Sequence, residues 1–281
     1  MTPFSSSVAL DPETLREALN RRAAGRGGGE SAWWPILCMA EIPSTQGCLS
    51  ALERAGVPAG AVVIASAQTG GRGRRGRRWH SPPSLGLYAS ALMRPAEDGA
   101  LAVRWSLAAA IAACEALREL GAAAEIKWPN DLVVGGRKAG GLLVETRTEA
   151  GRLRAVLIGC GVNVAQRVED FPEELRLVAT SIAIETGTSP TVGAVATALL
   201  GKIEETAGWM RACGTGALLD RWRDLSPAST GTAVTVLDGD AAWEGITRGI
   251  GDDGALAVEG ADGRLRRLGL GEEIRVRPRR S

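Results

Sequence analysis

The chain has 281 residues, long enough for one large domain and a smaller one on the prior of roughly 100–200 residues per domain. Lysine and arginine number 33 against 32 aspartates and glutamates, and 45% of residues are hydrophobic, which excludes a disordered chain and a global polyanion-seeking charge. Five scattered cysteines without a Cys-x-x-Cys pair, and His80 as the single histidine, speak against a structural zinc site.

Asp11-Pro12-Glu13 reads as N-cap, N1 proline and first-turn acid of a helix that runs through Leu15, Ala18 and Leu19 and stops near Gly25. Residues 1 to 24 contain Asp11, Glu13, Arg16, Glu17 and Arg21 with no apolar run long enough for a signal peptide, so none is expected there. No stretch is expected to reach the ~20 apolar residues of a membrane span, so a soluble cytoplasmic protein with reduced thiols is expected. After a glycine-rich link, strands are predicted around Trp34 to Ala40, Ala61 to Ala67 and Gly86 to Met93. A helix follows from Gly99 to Leu120, with Val103, Leu107, Ile111 and Cys114 on one face. Further strands are predicted at Ala124 to Trp128, Leu142 to Thr146 and Leu153 to Val162, and helices at Val192 to Arg211 and near Ala217 to Arg223. Ser226 to Gly231 has linker composition. Beyond it, short strand-like pieces at Ala233 to Leu237, Trp243 to Arg248, Ala255 to Val258, Arg264 to Leu268 and Glu273 to Val276 predict a small antiparallel barrel. Mixed periods of this kind imply an α+β fold. Trp33, Trp34, Trp209, Trp222 and Trp243 read as core, and Arg275, Arg277, Arg279 and Arg280 as solvated charge.

The loop Gly70 to Trp79 (GGRGRRGRRW) interleaves glycines, which let backbone amides approach a ligand, with arginines that donate in a planar fork. Taken alone it fits an anion-binding loop, a solvated arginine-rich loop or a nucleic-acid contact. Gly71, Gly73 and Gly76 satisfy G-x-G-x-x-G after a strand, but Trp79-His80-Ser81-Pro82-Pro83 cannot open the helix that a dinucleotide fingerprint requires. An RGG-type tract lies in disordered surroundings, whereas this loop sits between two apolar strands. Lys127 to Asp131 (KWPND) places a cation, an aromatic ring, an amide and a carboxylate around a turn-forming proline, and read alone it is equally an ordinary strand-ending turn. Lys138 follows seven residues after Asp131, before Gly140-Gly141 and Leu142-Leu143-Val144, so a hairpin could return it beside that loop.

In order and spacing, Ser44-Thr45, GGRGRRGRRW, SPPSLGLYAS (Ser81 to Ser90), KWPND, RKAGG (Arg137 to Gly141), GCGVN (Gly159 to Asn163) and ATSI (Ala179 to Ile182) resemble the biotin–protein ligase family over about residues 36 to 185. The resemblance implies a mixed-sheet catalytic domain of the biotin/lipoate ligase type with a small C-terminal SH3-like β-barrel. It divides the chain into an N-terminal helix and linker (1–31), a biotin/ATP catalytic domain (32–228) and the barrel (229–281).

The activity implied is formation of biotinyl-5′-AMP from biotin and ATP with Mg²⁺, then transfer of biotin to a lysine of a biotin carboxyl carrier protein, part of acetyl-CoA carboxylase or a related carboxylase. Carried over by position, Ser44, Thr45, Gln68, Gly71, Arg72, Lys138 and Gly141 resemble the biotin contacts. Arg74, Trp79, Lys127, Asn130, Asp131 and Asn163 resemble the ATP and adenylate contacts, with a Mg²⁺ site near Asp131. Lys138, Arg74 and Asp131 are the implied catalytic residues, Lys138 on the carboxylate and anhydride oxygens, Arg74 on phosphate, Asp131 beside the incoming amine.

Gln46 departs from the family pattern, which has asparagine after Ser-Thr. The single predicted N-terminal helix leaves no room for the winged helix of ligases that double as repressors, so no DNA partner is expected, nor a membrane one, and the chain is expected to act as a monomer or homodimer. Two other readings compete: a lipoate or octanoyl protein ligase on the same fold, with an apolar acyl slot, and a non-catalytic nucleic-acid-binding module with steeply salt-dependent affinity.

Overall fold

The computed structural model describes residues 10–95, 97–238 and 241–270 in full and residues 274–278 as backbone. Of the predicted features, Glu273, Arg279, Arg280 and the side chains of Arg275 and Arg277 lie outside this description.

A sheet of seven strands forms the centre: β1 (Ile36–Ile42), β2 (Val62–Gln68), β3 (Gly86–Met93), β4 (Glu125–Lys127), β5 (Asp131–Val134), β6 (Arg137–Glu149) and β7 (Arg152–Asn163), in the order β1-β2-β3-β7-β6-β5-β4. Only β1 and β2 run parallel; the other neighbours are antiparallel. A parallel pair needs a crossover, and helix α2 (Thr45–Arg54) supplies it. Sequence periodicity did not predict this helix. It is short, has Gly47 in its first turn and opens on Ser44, whose hydroxyl accepts from the Gly47 amide at 3.3 Å.

The pleat sends alternate residues of each strand to opposite faces. Val62, Ile64, Leu87, Ala89, Ala91, Ile158, Cys160 and Val162 point into the main core, while Ala61, Val63, Leu92, Ala155 and Leu157 pack with Leu49 of α2. The main core is roofed by α3 (Ala102–Glu119), α5 (Val192–Ala212) and α6 (Thr215–Asp224), which bury residues such as Ile111, Leu199 and Trp222. A short helix, α4 (Ile182–Thr186), precedes α5. Burial pushes the Cys114 and Cys160 thiols up to about 12, which leaves them inert.

The first helix, α1 (Pro12–Ala24), is capped by Asp11, which accepts from the Thr14 amide at 2.7 Å, and it buries Leu15 and Leu19 in the same core. Arg22 joins it to the helical layer through Glu119 of α3 at 2.5 Å and Glu205 of α5 at 3.2 Å.

A second sheet, antiparallel throughout, comprises β8 (Thr230–Asp238), β9 (Ala241–Ile250), β10 (Leu256–Gly260), β11 (Leu265–Leu268) and β12 (Ile274–Pro278), ordered β11-β10-β9-β8-β12. Its Val234, Val236, Ile250, Leu256 and Val258 are continuous with the main core. The Ser226 to Gly231 segment differs from its linker composition. Ser226 and Ser229 are buried, a 3-10 turn spans Pro227–Ser229, and the Ile126 amide donates to Leu225 O at 2.7 Å.

Two further expectations are corrected. Trp34 is 50% exposed, with the Arg16 guanidinium 5.4 Å from its ring centre, because β1 begins only at Ile36; Trp33 and Trp222 are buried as expected. The helical stretch Gly99–Glu119 is long and apolar enough to cross a membrane by length and composition. Its alanine-rich surface is instead buried between the sheet and α5 in the main core.

Leu19 is 2% exposed, so Leu19→Ala is expected to cost about 2–5 kcal/mol of stability, read as a lower urea midpoint at unchanged slope. An unchanged midpoint would show that α1 is not part of the cooperative core.

Candidate active site

On the α2 side of the sheet, beyond the first turn of that helix, the strands carry small residues. Ser90 and Gly159 are register partners, as are Leu143 and Gly159, and two residues further along Tyr88, Gly161 and Gly141 are aligned in the same way. These glycines leave bare backbone that neighbouring side chains approach closely. A Cβ on Gly161 would lie 2.5 Å from the Trp79 indole, one on Gly159 2.7 Å from Gln46 Oε1, and one on Gly141 3.3 Å from the Lys138 side chain.

One end of this floor is closed by a polar relay. Gln68, at the end of β2, accepts on Oε1 from the Thr45 amide at 2.8 Å and the Thr45 hydroxyl at 3.2 Å, and donates from Nε2 to Ser81 Oγ at 3.0 Å. Ser90 donates to Thr45 Oγ1 at 3.0 Å. Four residues are thereby locked to one another and to the N-terminus of α2, where backbone N–H groups point outward. A Cβ on Gly71 would lie within 2.8 Å of both Trp79 O and Ser81 Oγ, so only glycine fits between the relay and the loop.

The loop itself folds back as a flap. Trp79 N donates to Gly71 O at 2.9 Å, Gly73 N donates to Arg77 O at 2.7 Å, and the tip turns through Arg75 (φ 60°) and Gly76 (φ 70°). Arg72 lies over the first turn of α2, its Nη2 3.2 Å from where a Gly47 Cβ would be. Arg74 reaches the other way, donating to Asn130 Oδ1 at 3.4 Å and to the Leu270 carbonyl of the small sheet. Burial, then the neighbouring Arg75 and Arg77 guanidinia, lower the Arg74 pKa from its ordinary value, with Asp131 acting in the opposite sense. Arg75, Arg77 and Arg78 are exposed.

The far end is built by the β5–β6 hairpin. Lys138 pairs across it with Val133, and its ammonium meets Asp131 Oδ1 at 2.6 Å and stands 5.3 Å from the Trp79 ring centre. Its backbone is clamped by a parallel bridge, with Lys138 N donating to Val178 O at 2.8 Å and Thr180 N donating to Lys138 O at 2.9 Å. Glu185 holds the hairpin from behind, accepting from Arg137 at 2.7 Å and from the Thr180 hydroxyl at 2.6 Å. Asn130 donates to the Leu142 carbonyl, and Lys127 pairs in register with Asp131.

The structure therefore brings Ser44, Thr45, Gln68, Gly71 and Arg72 together at one end of the floor, and Arg74, Trp79, Asn130, Asp131, Lys138 and Gly141 at the other. Asn163 stands apart from them as a buried brace, donating to Thr180 O at 2.8 Å and to Lys138 O at 3.4 Å and accepting from Gln166 at 3.3 Å. Ser81, Ser90, Gln166, Thr180 and Glu185 also build the site, though sequence reasoning assigns them no role. Ser81, Ser90 and Thr180 lie inside the motifs SPPSLGLYAS and ATSI, and that membership is the only signal the sequence offers for them. For Mg²⁺ the described residues form no cage: no three of His, Cys, Asp and Glu come together, and Asp131 is engaged by Lys138. A metal here would rest mainly on phosphate oxygens of a nucleotide.

Gly161→Ala is expected to lift Trp79 and loosen the flap, so trypsin should cut between residues 72 and 78 faster than in the wild type at an unchanged melting temperature. Equal cleavage rates would show that Trp79 does not anchor the flap.

The model of the biotin/lipoate A/B protein ligase family matches residues 38–163. The biotin--[acetyl-CoA-carboxylase] ligase of Mycobacterium tuberculosis is 32% identical over 285 residues, spanning 95% of this chain and 96% of that protein. The bifunctional ligase/repressor BirA of Escherichia coli is 35% identical over 270 residues, 95% of this chain and 80% of that protein. Among solved structures, the biotin protein ligase from Aquifex aeolicus in complex with biotin and ATP superposes with a TM-score of 0.71 at 28% identity, over 88% of this chain and 100% of that one. With a relative 32% identical and matched along 96% of its length, the chain belongs to the biotin/lipoate A/B protein ligase family.

Proposed function

We propose that the protein is an ATP-dependent biotin–protein ligase that makes biotinyl-5′-AMP and passes the biotinyl group to a lysine of a biotin carboxyl carrier domain. One observation carries the reading: an ion-paired Lys138 and Asp131 face Trp79 and Arg74 across a glycine floor whose other end is a fixed relay of amide and hydroxyl groups.

The relay end suits a ureido head, which offers one carbonyl acceptor and two N–H donors to Ser44, Thr45, Gln68 and the backbone around Gly71 and Arg72. A lipoyl or octanoyl group brings no hydrogen-bonding head to Ser44, Thr45 and Gln68, which disfavours it as the substrate. A valeryl chain laid along the glycines then brings its carboxylate to Lys138.

In the first step a carboxylate oxygen forms a bond to the α-phosphorus of ATP, the bond to the bridging β-oxygen breaks, and pyrophosphate leaves with that electron pair. Lys138 and Arg74, preorganised by Asp131 and Asn130, offset the charge that develops on the transferring oxygens; loss of one such donor typically costs about 10²–10³ in rate. Trp79 gives the adenine a stacking face, and Lys127, Asn130 and Asp131 line the phosphate side. Mg²⁺ supplies phosphate charge neutralisation when it arrives with ATP. In the second step the carrier amine attacks the anhydride carbonyl, the C–O bond breaks and AMP leaves. The amine must first lose a proton from a group of reference pKa ~10.4, and in this reading Asp131 takes or orients it once Lys138 has moved to the anhydride.

In this reading residues 32–228 carry the chemistry and residues 229–281 support it. The described segment ahead of β1 is built into the catalytic core through Leu15 and Leu19, and in this reading the enzyme works in the cytoplasm with no DNA partner.

Incubation with ATP, Mg²⁺, biotin and a carrier domain is expected to label one carrier lysine. No labelled carrier at micromolar enzyme, or labelling by lipoate in preference to biotin, overturns the assignment. Lys138→Ala is expected to keep its melting temperature and lose ATP–pyrophosphate exchange by about 10²–10³. Undiminished exchange would remove Lys138 from the chemistry. Biotin with ATP is also expected to slow tryptic cutting of the flap, since closure over the adenylate shields it from water.

A further inference from the structure

Gln46 is 3% exposed, yet its Oε1 has no hydrogen-bond partner, one of six such buried side-chain atoms among the described residues. Its Nε2 faces the carbonyls of Leu143 at 3.5 Å and Leu157 at 3.4 Å, on neighbouring strands β6 and β7, and this fixes which way the amide points. The orphaned oxygen therefore lies over Gly159, 2.7 Å from where that residue's Cβ would be. A second orphan stands beside it: Trp79 Nε1, 2.6 Å from the corresponding position on Gly161, two residues along the same face of β7. Buried polar groups are rarely left unpaired without a ligand or solvent partner to come. Here an acceptor and a donor are left unpaired side by side on the barest part of the sheet, between the relay and Lys138.

We propose that Gln46 is a specificity-determining residue: its Oε1 accepts one ring N–H of the bound ureido head, and its length closes the Gly159 end of the slot against any substituent on that nitrogen. The inference rests on the biotin-ligase reading, with Trp79 drawn back from Gly161 when ligand enters. Gln46 sits at the second position of α2, held in place by the neighbouring Thr45, so the acceptor is aimed by the helix rather than by a mobile loop. An oxygen that accepts from N–H cannot accept from N–CH₃, and Oε1, 2.7 Å from where a Gly159 Cβ would be, already occupies the space above that glycine.

Calorimetric titration of the full-length protein with biotin and with its two singly N-methylated ureido analogues tests this. Biotin binding by the wild type checks the underlying reading; its absence sinks that reading and this inference with it. Given binding, the wild type should prefer biotin over one of the two analogues by well over tenfold. Gln46→Met, similar in length but lacking the acceptor, should bind biotin about tenfold more weakly, the usual effect of one lost neutral hydrogen bond. Gln46→Asn, one methylene shorter, withdraws the acceptor and should also bind biotin more weakly, but it opens the Gly159 end and should reduce discrimination against that same analogue at least tenfold. Melting temperatures show whether each variant is folded, and the two variants fail independently. Biotin affinity in Gln46→Met within threefold of wild type, or discrimination in Gln46→Asn unchanged, overturns the assignment.

Discussion

A ligand can lie flat on a β-sheet only where the sheet has no side chains, and this constraint organises the site. Gly141 and Gly161 are register partners, with Gly159 two residues along the same strand as Gly161; Gln46 and Trp79 approach Gly159 and Gly161 to distances a Cβ would forbid, and Lys138 comes close over Gly141. The pleat confines the cost of this. On β7 the residues that alternate with the glycines, Ile158, Cys160 and Val162, turn to the other face and fill the main core, while Ala155 and Leu157, further back on the glycine side, seat α2. A single strand thus serves the main core on one face and, on the other, both the seat of α2 and a bare glycine floor.

The long elements were legible in the sequence for physical reasons. Helices with an apolar stripe at helical spacing, such as α3 and α5, and strands with continuous apolar runs, such as β2 and β7, announce themselves because burial dictates their composition. Helix α2 did not, since ten residues with Gly47 near the start and only a few apolar positions carry little periodic signal; the parallel pairing of β1 and β2 demands it. The apolarity of α3 was underestimated because alanines dominate it, and alanine reads as weakly hydrophobic while packing as core.

The site divides in the same way. KWPND, RKAGG and the arginine–glycine loop were visible as strings, because unusual residue types were concentrated there. The hydroxyl relay was not, for Ser81 and Ser90 are ordinary residues whose role depends on a register that brings β2, β3 and α2 to one point. Asn163 illustrates the converse. Its motif marked it, yet its donors are spent on the carbonyls of Thr180 and Lys138, so it acts by holding the lysine's backbone. Sequence can single out a position without saying whether it touches the ligand or steadies what does.

The small C-terminal sheet is tied to the site at two points. The Trp128 indole, from the KWPND turn, donates to Gly254 O at 3.0 Å from within the core, and Arg74 of the flap reaches the carbonyl of Leu270. Leu270 in turn packs against Gly254, whose own Cβ position is 2.9 Å from the leucine side chain and 3.0 Å from Val103 of α3. Modularity is therefore only apparent. Severing the chain after residue 228 would strip a buried indole of its acceptor, uncover the apolar face that Val234, Val236 and Leu256 share with the main core, and leave a flap arginine without its backbone anchor. Any attempt to shorten this protein to its motif-bearing half would be cutting through the scaffold of the site rather than alongside it.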